Sequence, residues 1–487
     1  MTSTAKVRPL VAAMAVALLA TAAGCSTSAP TSTAPASTGG GATTATSAPP
    51  TTSAPPSTTS APKITLKVAY GEQAPSKQMT DFLTAAKAGF EAENPGVTVE
   101  LQPIDASGDD VNTKLQLMQR SESTAPDVLT EDGFRINADA EAGFLLPLDS
   151  YVANWADWAQ FSQGARDIGK AVDGKTYGIS RGTDVQIIWY SKTVFEKAGL
   201  PTTWQPKTWQ DIIDAAKAIK AKVPGTIPMN IYVSKPLGEA TTMRTVLTFL
   251  SGTPDGMENG IYNSASNKWV TGSQGMKDVA AFLQQYHDLE LGPTAVDQQN
   301  PNLYGLVMEQ WLPAGKLGMA FDGSWNSGTW TETGNHPWPA WPTEVGWAAI
   351  PTQNGQAPGT TTMSGGWTWA ASSKSKNPDM AAKFVLYLSS KENMLKFTLV
   401  SGDIPVRNDV ASDPAYTSSK PTAQFIADQV KVTHVRPSVT LYPQVSDLLA
   451  QMSDSIITGS KDAAAATTWL DGQITAIAGA DVVKATS

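Results

Sequence analysis

Cysteine and histidine are both scarce in this chain of 487 residues. The single cysteine, Cys25, excludes an internal disulfide and a metal site built from several thiolates. The three histidines, His287, His336 and His434, lie far apart in the sequence, without the spacings at which histidines bind zinc together. We therefore expect neither a transition-metal site nor a cofactor.

Positive charge and long apolar runs are scarce as well. The 44 acidic residues outnumber the 35 Lys and Arg, and the formal net charge of -9 argues against a nucleic acid or an anionic surface as the main partner. Beyond the N-terminal stretch, no segment is a transmembrane candidate. Carboxylates are plentiful, but no spacing singles out a pair that would serve as the acid and base of a glycosidase.

The N-terminus has the layout of an export signal. Lys6 and Arg8 precede an apolar stretch, Leu10 to Ala23, which is too short to span a bilayer comfortably. We interpret residues 1–24 as a lipoprotein signal peptide that is removed from the mature protein.

The cysteine closes this signal, and a tether follows it. The sequence Ala-Ala-Gly-Cys that ends at Cys25 resembles the lipobox of bacterial lipoproteins, in which the chain is cut before the cysteine and a lipid is attached to its sulfur. It departs from that pattern at Ala22, where leucine is commoner; the alternative is an ordinary secretory signal with a chance cysteine. We interpret residues 25–62 as a lipidated cysteine, which the lipobox resemblance implies, on a disordered tether, which the abundance of Ser, Thr, Pro and Ala predicts.

An alternating α/β pattern begins at Ile64. Its periodicity predicts, in order, a strand, a helix, a strand, a helix and a strand, at Ile64–Tyr70, Gln78–Glu93, Val97–Leu101, Asp109–Arg120 and Pro126–Leu129. This order indicates a mainly parallel sheet with helices on both faces, in which ligands bind beyond the carboxyl ends of the strands. The polar residues at those ends are Glu72, Glu131, Asp132 and Arg135.

The stretch from Gly174 to Lys192 divides the folded part in two. A turn at Asp173-Gly174 leads into a short strand, and a polar patch, Ser180 to Asp184, then leads into a second apolar strand, Val185 to Tyr190. Such an interrupted extended run is able to carry the chain from one lobe into another. We interpret it as the first hinge of a two-lobed binding protein and expect Asp184 to face the cleft.

A phosphate-loop pattern, G-x-x-x-x-G-K-T, overlaps this stretch at Gly169 to Thr176. A true phosphate loop needs a buried strand before it and a helix that starts at its Lys-Thr. The preceding residues are polar and the following ones are extended, so we interpret the match as a plain turn between two strands.

The second half of the chain repeats the α/β alternation. Thr208 to Lys222 is predicted to be an amphipathic helix with a capping box between Thr208 and Asp211. Leu317 to Phe321 is predicted to be a buried strand that leads to Asp322-Gly323-Ser324-Trp325. Further helices are predicted at Gly238–Leu250, Ser273–Leu289 and Leu303–Leu312, and further strands at Val345–Ile350 and Trp367–Ala371.

Tryptophan is abundant, with 15 residues, many of them in predicted loops. Flat aromatic faces suit sugar rings, whereas carboxylates and other polar side chains suit sugar hydroxyls. Trp209 and Trp311, at helical spacing, are predicted to be core residues. Trp325 follows Gly323 in a polar loop, and we expect it to lie in a binding site.

Several segments of the chain carry a family resemblance. They read FEAENPGVTVE, APDVL, GFLLPLDSY, GKTYGI, IWYSKTVFEKAGLP, TWQDIIDAAKAIKA, GKLGMAFDGSW, GGWTWAASSKSKNPDMAAKFVLYLSS and GDIPVRNDV. Their order and spacing resemble the extracellular solute-binding proteins of ABC importers, in the large carbohydrate-binding family that includes maltodextrin-binding protein. The resemblance covers roughly Lys63 to Gly479.

The resemblance implies an α/β, two-lobed periplasmic-binding-protein-like fold of type II, with the ligand in the cleft between hinge-linked lobes. Residues 63–182 and about 352–412 would form the first lobe, and residues 183–351 and about 413–487 the second. The implied protein is a monomeric, lipid-anchored receptor without enzyme activity. It would bind a sugar or oligosaccharide outside the bacterial membrane and deliver it to an ABC permease. A secreted glycoside hydrolase, or a receptor for a polyol, polyamine or peptide, remains the alternative.

The resemblance also implies a set of ligand-binding positions. They are Glu72, Asp132, Arg135, Asp184, Trp325, Trp367, Tyr442 and Arg407. Arg407 also fits a structural role. The loop after the third strand, Glu131-Asp132-Gly133, holds no tryptophan, which leaves the stacking partner on that lobe open.

Overall fold

The computed structural model of the protein describes residues 63–72, 76–106, 108–332 and 334–485. The predicted signal peptide, the lipobox with Cys25 and the tether lie outside the described residues. None of the helices in the described ranges combines the length and the apolar character needed to cross a membrane.

The strands are numbered in chain order. They are β1 (Ile64–Gly71), β2 (Val97–Ile104), β3 (Val128–Asp132), β4 (Gly178–Ser180), β5 (Gln186–Ser191), β6 (Ile227–Asn230), β7 (Tyr262–Asn263), β8 (Lys268–Thr271), β9 (Leu317–Gly323), β10 (Val345–Ala348), β11 (Ile350–Pro351), β12 (Thr360–Ser364), β13 (Trp367–Ala371), β14 (Thr433–Val435) and β15 (Val482–Lys484).

The α-helices follow the same convention. They are α1 (Gln78–Glu93), α2 (Gly108–Gln119), α3 (Ile136–Glu141), α4 (Asp149–Val152), α5 (Gln163–Ile168), α6 (Lys192–Ala198), α7 (Trp209–Lys222), α8 (Glu239–Thr241), α9 (Thr248–Ser251), α10 (Gly256–Gly260), α11 (Gln274–Asp288), α12 (Ala295–Gln298), α13 (Asn326–Thr329), α14 (Trp341–Glu344), α15 (Pro378–Leu388), α16 (Lys391–Ser401), α17 (Asn408–Ala411), α18 (Pro414–Thr417), α19 (Ala423–Gln429), α20 (Tyr442–Ile457) and α21 (Ala463–Ala478). Short 3₁₀ turns lie at Gly133–Arg135, Ala156–Gln160, Lys235–Leu237, Val430–Val432 and Gly479–Asp481.

The first lobe is built on a five-stranded sheet in the order β2-β1-β3-β13-β4. β1 runs parallel to β2 and β3, but β13 runs antiparallel to both β3 and β4. The expectation of a mainly parallel sheet is therefore confirmed, since β1, β2, β3 and β4 run in one direction and only β13 of this sheet, where the chain re-enters from the other lobe, runs the opposite way. α1 and α15 pack on one face through Phe90 and Phe384, and α2 packs on the other through Val111 and Leu115.

The second lobe is built on a four-stranded sheet in the order β10-β5-β9-β6. Here β5 is antiparallel to β10 and β9, and β6 is parallel to β9. α7, α11 and α20 contribute to its largest apolar core, where Trp209, Phe249 and Phe282 pack together. The capping box at the start of α7 is confirmed, with Thr208 and Asp211 each accepting from the other's backbone N–H.

Two neighbouring crossings connect the sheets, and a later one takes the chain from α16 back to α20 in the second lobe. The chain leaves the first sheet after Ser180 and enters the second at Gln186, and it returns between β12 and β13 through Gly365 and Gly366. The crossings are hydrogen-bonded to each other, because the Thr183 hydroxyl donates to the Gly365 carbonyl at 2.8 Å. β12 pairs with β11 and β14 rather than with the first sheet. This pairing favours a lobe boundary near Gly365 over one near residue 352.

The phosphate-loop match forms a turn. Lys170 and Thr176 pair across it as an antiparallel bridge, and Gly174 adopts a left-handed backbone with φ of 82°. An extended strand, β4, follows instead of a helix. The interpretation as a plain turn is confirmed, but a helix, α5, precedes it instead of a strand.

Two of the predicted helices contain π-helical turns. The segment predicted at 238–250 consists of α8, a π turn at Thr242–Leu247 and α9, and the segment predicted at 303–312 contains a π turn at Gly305–Trp311. π turns often accompany functional sites. The first of them carries Met243 and Arg244, which both line the cavity described next.

Candidate functional site

A cavity of about 390 Å³ lies between the two lobes. On the first lobe it is lined by residues at the carboxyl ends of the strands, such as Glu72 after β1 and Asp132 at the end of β3. On the second lobe it is lined by the π turn and by the loop after β9, and the two crossings contribute Asp184 and Gly365. Five predicted residues thus come together here: Glu72, Asp132, Asp184, Trp325 and Trp367.

Trp325 lies against an arginine that is paired inside the second lobe. The guanidinium carbon of Arg244 is 4.8 Å from the ring centre of Trp325 and 4.8 Å from that of Tyr232. Arg244 Nη1 donates to the fully buried carboxylate of Asp322 at 3.0 Å, and the Tyr232 hydroxyl donates to the same carboxylate at 2.5 Å. The charge of Arg244 is therefore compensated by Asp322, and the cation–π contact helps to fix the orientation of the indole.

Trp367 also lies against an arginine, but this one has no ion pair with any described residue. The guanidinium carbon of Arg181 is 5.6 Å from the ring centre of Trp367, 5.6 Å from that of Trp369 and 5.0 Å from that of Phe397. Burial lowers the pKa of Arg181, and the carboxylate of Asp403 opposes this effect from a distance. The guanidinium is held by aromatic rings, and it faces the cavity.

Arg436 connects the two lobes. Its Nη2 donates to Asp132 Oδ1 of the first lobe at 2.9 Å, and its Nη1 donates to Glu239 Oε1 of the second lobe at 3.2 Å. Glu239 also accepts from the Tyr442 hydroxyl at 2.6 Å and from the Ser446 hydroxyl. This network spans the cleft, and it stabilises the arrangement in which the lobes are close together.

Two carboxylates face the cavity beside the crossings. Asp184 Oδ1 accepts from Gln186 Nε2 at 3.1 Å and from the Gly365 backbone N–H at 3.2 Å. Burial, reinforced by the negative charge of Asp403, raises the pKa of Asp184 to about 7. Burial also raises the pKa of Asp403. Both groups are able to accept hydrogen bonds from ligand hydroxyls.

Glu72 has a second role. Its Oε1 accepts from the Met79 backbone N–H at 2.7 Å and its Oε2 from that of Thr80 at 3.0 Å, at the start of α1. The Ser76 and Thr80 hydroxyls donate to the same carboxylate. Because its acceptor positions are occupied, Glu72 fixes α1 against the cavity wall.

Three predicted site residues do not line this cavity. Arg135 forms an ion pair with Asp139, to which its Nη2 donates at 3.3 Å. Tyr442 is fully buried and reaches the site only through its hydrogen bond to Glu239. Arg407 is 1% exposed and forms ion pairs of 2.9 and 2.8 Å with Asp157 and Asp409, which supports the structural role that the sequence left open.

The structure also brings charged residues to the cavity that the sequence did not single out. They are Arg181, Glu239, Arg244, Asp403 and Arg436. One signal was available for Arg244, which shares the segment 238–250 with a single other charged residue and therefore needs a partner inside the fold. The others lie in loops or at element ends, where no periodicity marks a side chain as pointing inward.

The residues from Gly178 to Gly182 fit G-x-S-x-G, the pattern of the nucleophile elbow in serine hydrolases. That elbow needs an exposed serine at a sharp turn from a strand into a helix. Ser180 is fully buried, its hydroxyl donates to the Gly182 carbonyl at 3.1 Å, and the chain continues into β5. The pattern match at Gly178 to Gly182 therefore does not correspond to a nucleophile elbow. No cluster of His, Cys, Asp and Glu suited to a metal ion occurs within the described ranges.

Comparison with known proteins finds one relative that is matched over a third of its length and others that are matched over most of theirs. A putative ABC transporter periplasmic-binding protein of Escherichia coli is 27% identical over 158 residues, which is 32% of this chain and 36% of that protein. A galactooligosaccharide-binding protein of Bacillus subtilis is 22% identical over 79% of this chain and 84% of that protein. An sn-glycerol-3-phosphate-binding periplasmic protein of Agrobacterium fabrum is 23% identical over 79% of this chain and 80% of that protein. The chain thus matches about a third of the first relative and most of the other two.

Solved structures share the fold. An ABC transporter solute-binding protein of Thermotoga lettingae bound to α-D-tagatose superposes with a TM-score of 0.73, at 22% identity over 85% of this chain and 100% of that chain. A maltose-bound protein of T. maritima gives 0.71 at 18% identity over 84% of this chain and 99% of that chain. The two-lobed α/β fold expected from the sequence is therefore confirmed.

The sequence also matches a family model over residues 76–395, which is more than half of the chain. That match, together with the two sheets, the paired crossings and the cavity between them, shows that the chain belongs to the family of bacterial extracellular solute-binding proteins.

Proposed function

We propose that this protein is the substrate-binding receptor of an ABC importer for a sugar or oligosaccharide. One observation carries the proposal: Trp325 and Trp367, two indoles suited to sugar faces, line the same cavity as Asp132 and Asp184. The relative named for galactooligosaccharide and the solved structures with tagatose and maltose support this substrate class. The receptor would hand its ligand to the membrane subunits of a permease and would catalyse no reaction.

Ligand capture would proceed by closure of the cleft. Glu72, Asp132 and Trp367 belong to the first lobe, and Trp325 and Arg244 belong to the second. A ligand in contact with both sets favours the closed state because only there does it make all of its contacts. The lobes would meet at the crossings near residues 181–185 and 365–366, and we propose that the receptor acts as a monomer.

A thermal-shift screen of the purified protein tests the proposal. We expect maltose, tagatose or a related sugar to raise the melting temperature, since a ligand at a hundred times its Kd adds about 2.7 kcal/mol to the free energy of unfolding. The sugar should be recovered intact. Recovery of fragments would indicate a glycoside hydrolase, and a response only to polyamines or peptides would reassign the ligand class.

The lipid anchor is a separate proposal with its own test. Cys25 would carry a diacylglycerol, and the Ser/Thr/Pro-rich residues after it would hold the receptor off the extracytoplasmic face of the bacterial membrane. In a bacterial host, we expect the unchanged chain in the membrane fraction and Cys25→Ser in the medium or periplasm. Equal membrane retention of both would contradict the anchor.

A further inference from the structure

Two opposite charges face the cavity without pairing. Arg181 and Asp403 both line it. No nitrogen–oxygen distance of 4.0 Å or less joins either of them to an oppositely charged side chain in the described ranges. Gly182, the residue after Arg181, packs closely against the Asp403 side chain, so the two charges lie near each other in the cavity, and the buried Lys420 is a second positive charge that acts on Asp403.

The guanidinium of Arg181 is fixed before any ligand arrives. The rings of Trp367, Trp369 and Phe397 surround it at 5.0 to 5.6 Å, and the Arg181 backbone N–H donates to the Trp367 carbonyl at 3.0 Å. A guanidinium packed among aromatic rings has little rotational freedom left to lose. It is a donor that already points in a set direction.

Asp403 is fixed from the other side. Its neighbour Ile404 exchanges two backbone hydrogen bonds with Thr183, of 2.8 and 2.9 Å. A Cβ atom on Gly182 would lie 2.8 Å from the Cβ of Asp403, so this approach depends on glycine at position 182. The carboxylate is therefore held beside the first crossing, next to Asp184.

We propose that Arg181 and Asp403 bind one ligand hydroxyl between them and thereby select an uncharged polyhydroxy ligand. The hydroxyl oxygen accepts from Arg181, and the hydroxyl hydrogen is donated to Asp403. A hydroxyl performs both roles at once. An ammonium group only donates, and an ionised phosphate or carboxylate oxygen only accepts, so either would leave one of the two charges unsatisfied.

The carboxylate of Asp184 acts in the same direction. Asp184 also lines the cavity beside Asp403, and wherever it is ionised, above a pH of about 7, its negative charge disfavours an anionic ligand group there; the charge of Asp132 is compensated by Arg436. The proposal rests on the proposed function and narrows it: this receptor takes a neutral sugar or polyol, in contrast to the relatives named for sn-glycerol-3-phosphate.

Isothermal titration calorimetry on the purified full chain tests this inference. The probes are maltose, tagatose, ribitol and glucose, with glucose 6-phosphate and sn-glycerol-3-phosphate as the anionic comparison. The variants are Arg181→Gln and Asp403→Asn, with Arg181→Lys as a substitute that keeps the charge if the glutamine variant does not fold. Asp157→Asn is the matched control, because it removes an ion pair of the first lobe outside the cavity.

We expect at least one neutral probe to bind and neither anionic probe to bind more tightly. Each of the two variants should weaken binding by about tenfold or more, and Asp157→Asn should leave it unchanged. The double variant should lose little more than either single variant, since both residues hold one hydroxyl. Deoxy derivatives of the bound probe sharpen the test: one of them should bind the variants and the unchanged protein equally.

Three results would overturn the inference. Unchanged affinity in both variants would remove the pair from the site and leave the receptor function standing. Tighter binding of glucose 6-phosphate than of glucose, or of sn-glycerol-3-phosphate than of ribitol, would overturn the selection of uncharged ligands. A response to no sugar or polyol at all would overturn both this inference and the proposed function.

Discussion

The cavity has a tryptophan–arginine pair on each side, and the two pairs are built differently. On the second lobe, Arg244 lies against Trp325 and is paired with the buried Asp322. On the first lobe, Arg181 lies against Trp367 without an ion pair to any described residue. The same two residue types thus serve different purposes. The paired arginine positions its tryptophan, and the unpaired one leaves its charge available to whatever occupies the cavity.

Loss of Asp322 should have the largest effect. Asp322→Asn leaves the guanidinium of Arg244 without its counter-charge, and we expect the free energy of unfolding to fall by about 3 kcal/mol in urea titrations. Asp403→Asn, its counterpart on the other side, removes no ion pair and should cost less than about 1 kcal/mol. Equal losses for the two variants would mean that the pairs do not differ as described.

Trp325→Ala should come next in size. We expect ligand affinity to fall at least about tenfold, because an aromatic face is lost from the cavity while the protein stays folded. Trp338→Ala is the control, since Trp338 packs on Trp330 and does not line the cavity. Calorimetric titration with the sugar found by thermal shift measures both, and an unchanged affinity for Trp325→Ala would remove this residue from the site.

The pH dependence of stability tests the environment of Asp184, which lies at the crossing between the two sides of the cavity. The pKa of Asp184 is raised from 3.8 to about 7, so between these values the folded state keeps a proton that the unfolded chain has released. This contribution to stability is therefore present at low pH and is lost as the pH rises towards about 7. We expect the unfolding free energy to depend less steeply on pH in Asp184→Asn over this interval. A constant difference between the two proteins would contradict the raised pKa.

Arg135→Gln should have the smallest effect. The sequence places Arg135 in the site, but the structure pairs it with Asp139 outside the cavity. We expect ligand affinity to stay within about twofold and stability to fall by about 1 kcal/mol at most, as is usual for a partly buried pair. A tenfold loss of affinity measured by calorimetry would return Arg135 to the site and weaken the comparison.

The sequence was sufficient to predict those helices and strands that have a clear apolar periodicity and clear start or stop signals. Gln78–Glu93 and the capped helix after Thr208 are found where they were predicted, because each has an apolar stripe and a clear stop or start signal. The strand from Leu317 was also predicted, and it delivers Trp325 to the cavity. Short strands such as β7, β12 and β14 were missed, since two to five residues carry too little pattern.

What the sequence did not predict depends on distant parts of the chain. Arg436 faces Asp132 from 304 positions away, and Asp403 lies beside the hinge only because Ile404 pairs with Thr183. The π turn that carries Arg244 looks like an ordinary helix in the sequence, because the spacing of its apolar residues is helical in either case. Contacts of this kind follow from the folded arrangement of both lobes.

Gly365 lines the cavity without a side chain. A Cβ atom there would lie 3.2 Å from Met243 Sδ, 3.2 Å from Arg436 Nη2 and 3.3 Å from Asp184 Oδ2, three groups that come from three separate segments. A larger residue at this position would therefore take space from the cavity and press on all three groups at once. A single substitution of Gly365 is thus expected to change the space open to a ligand from the hinge side, with both tryptophans left in place.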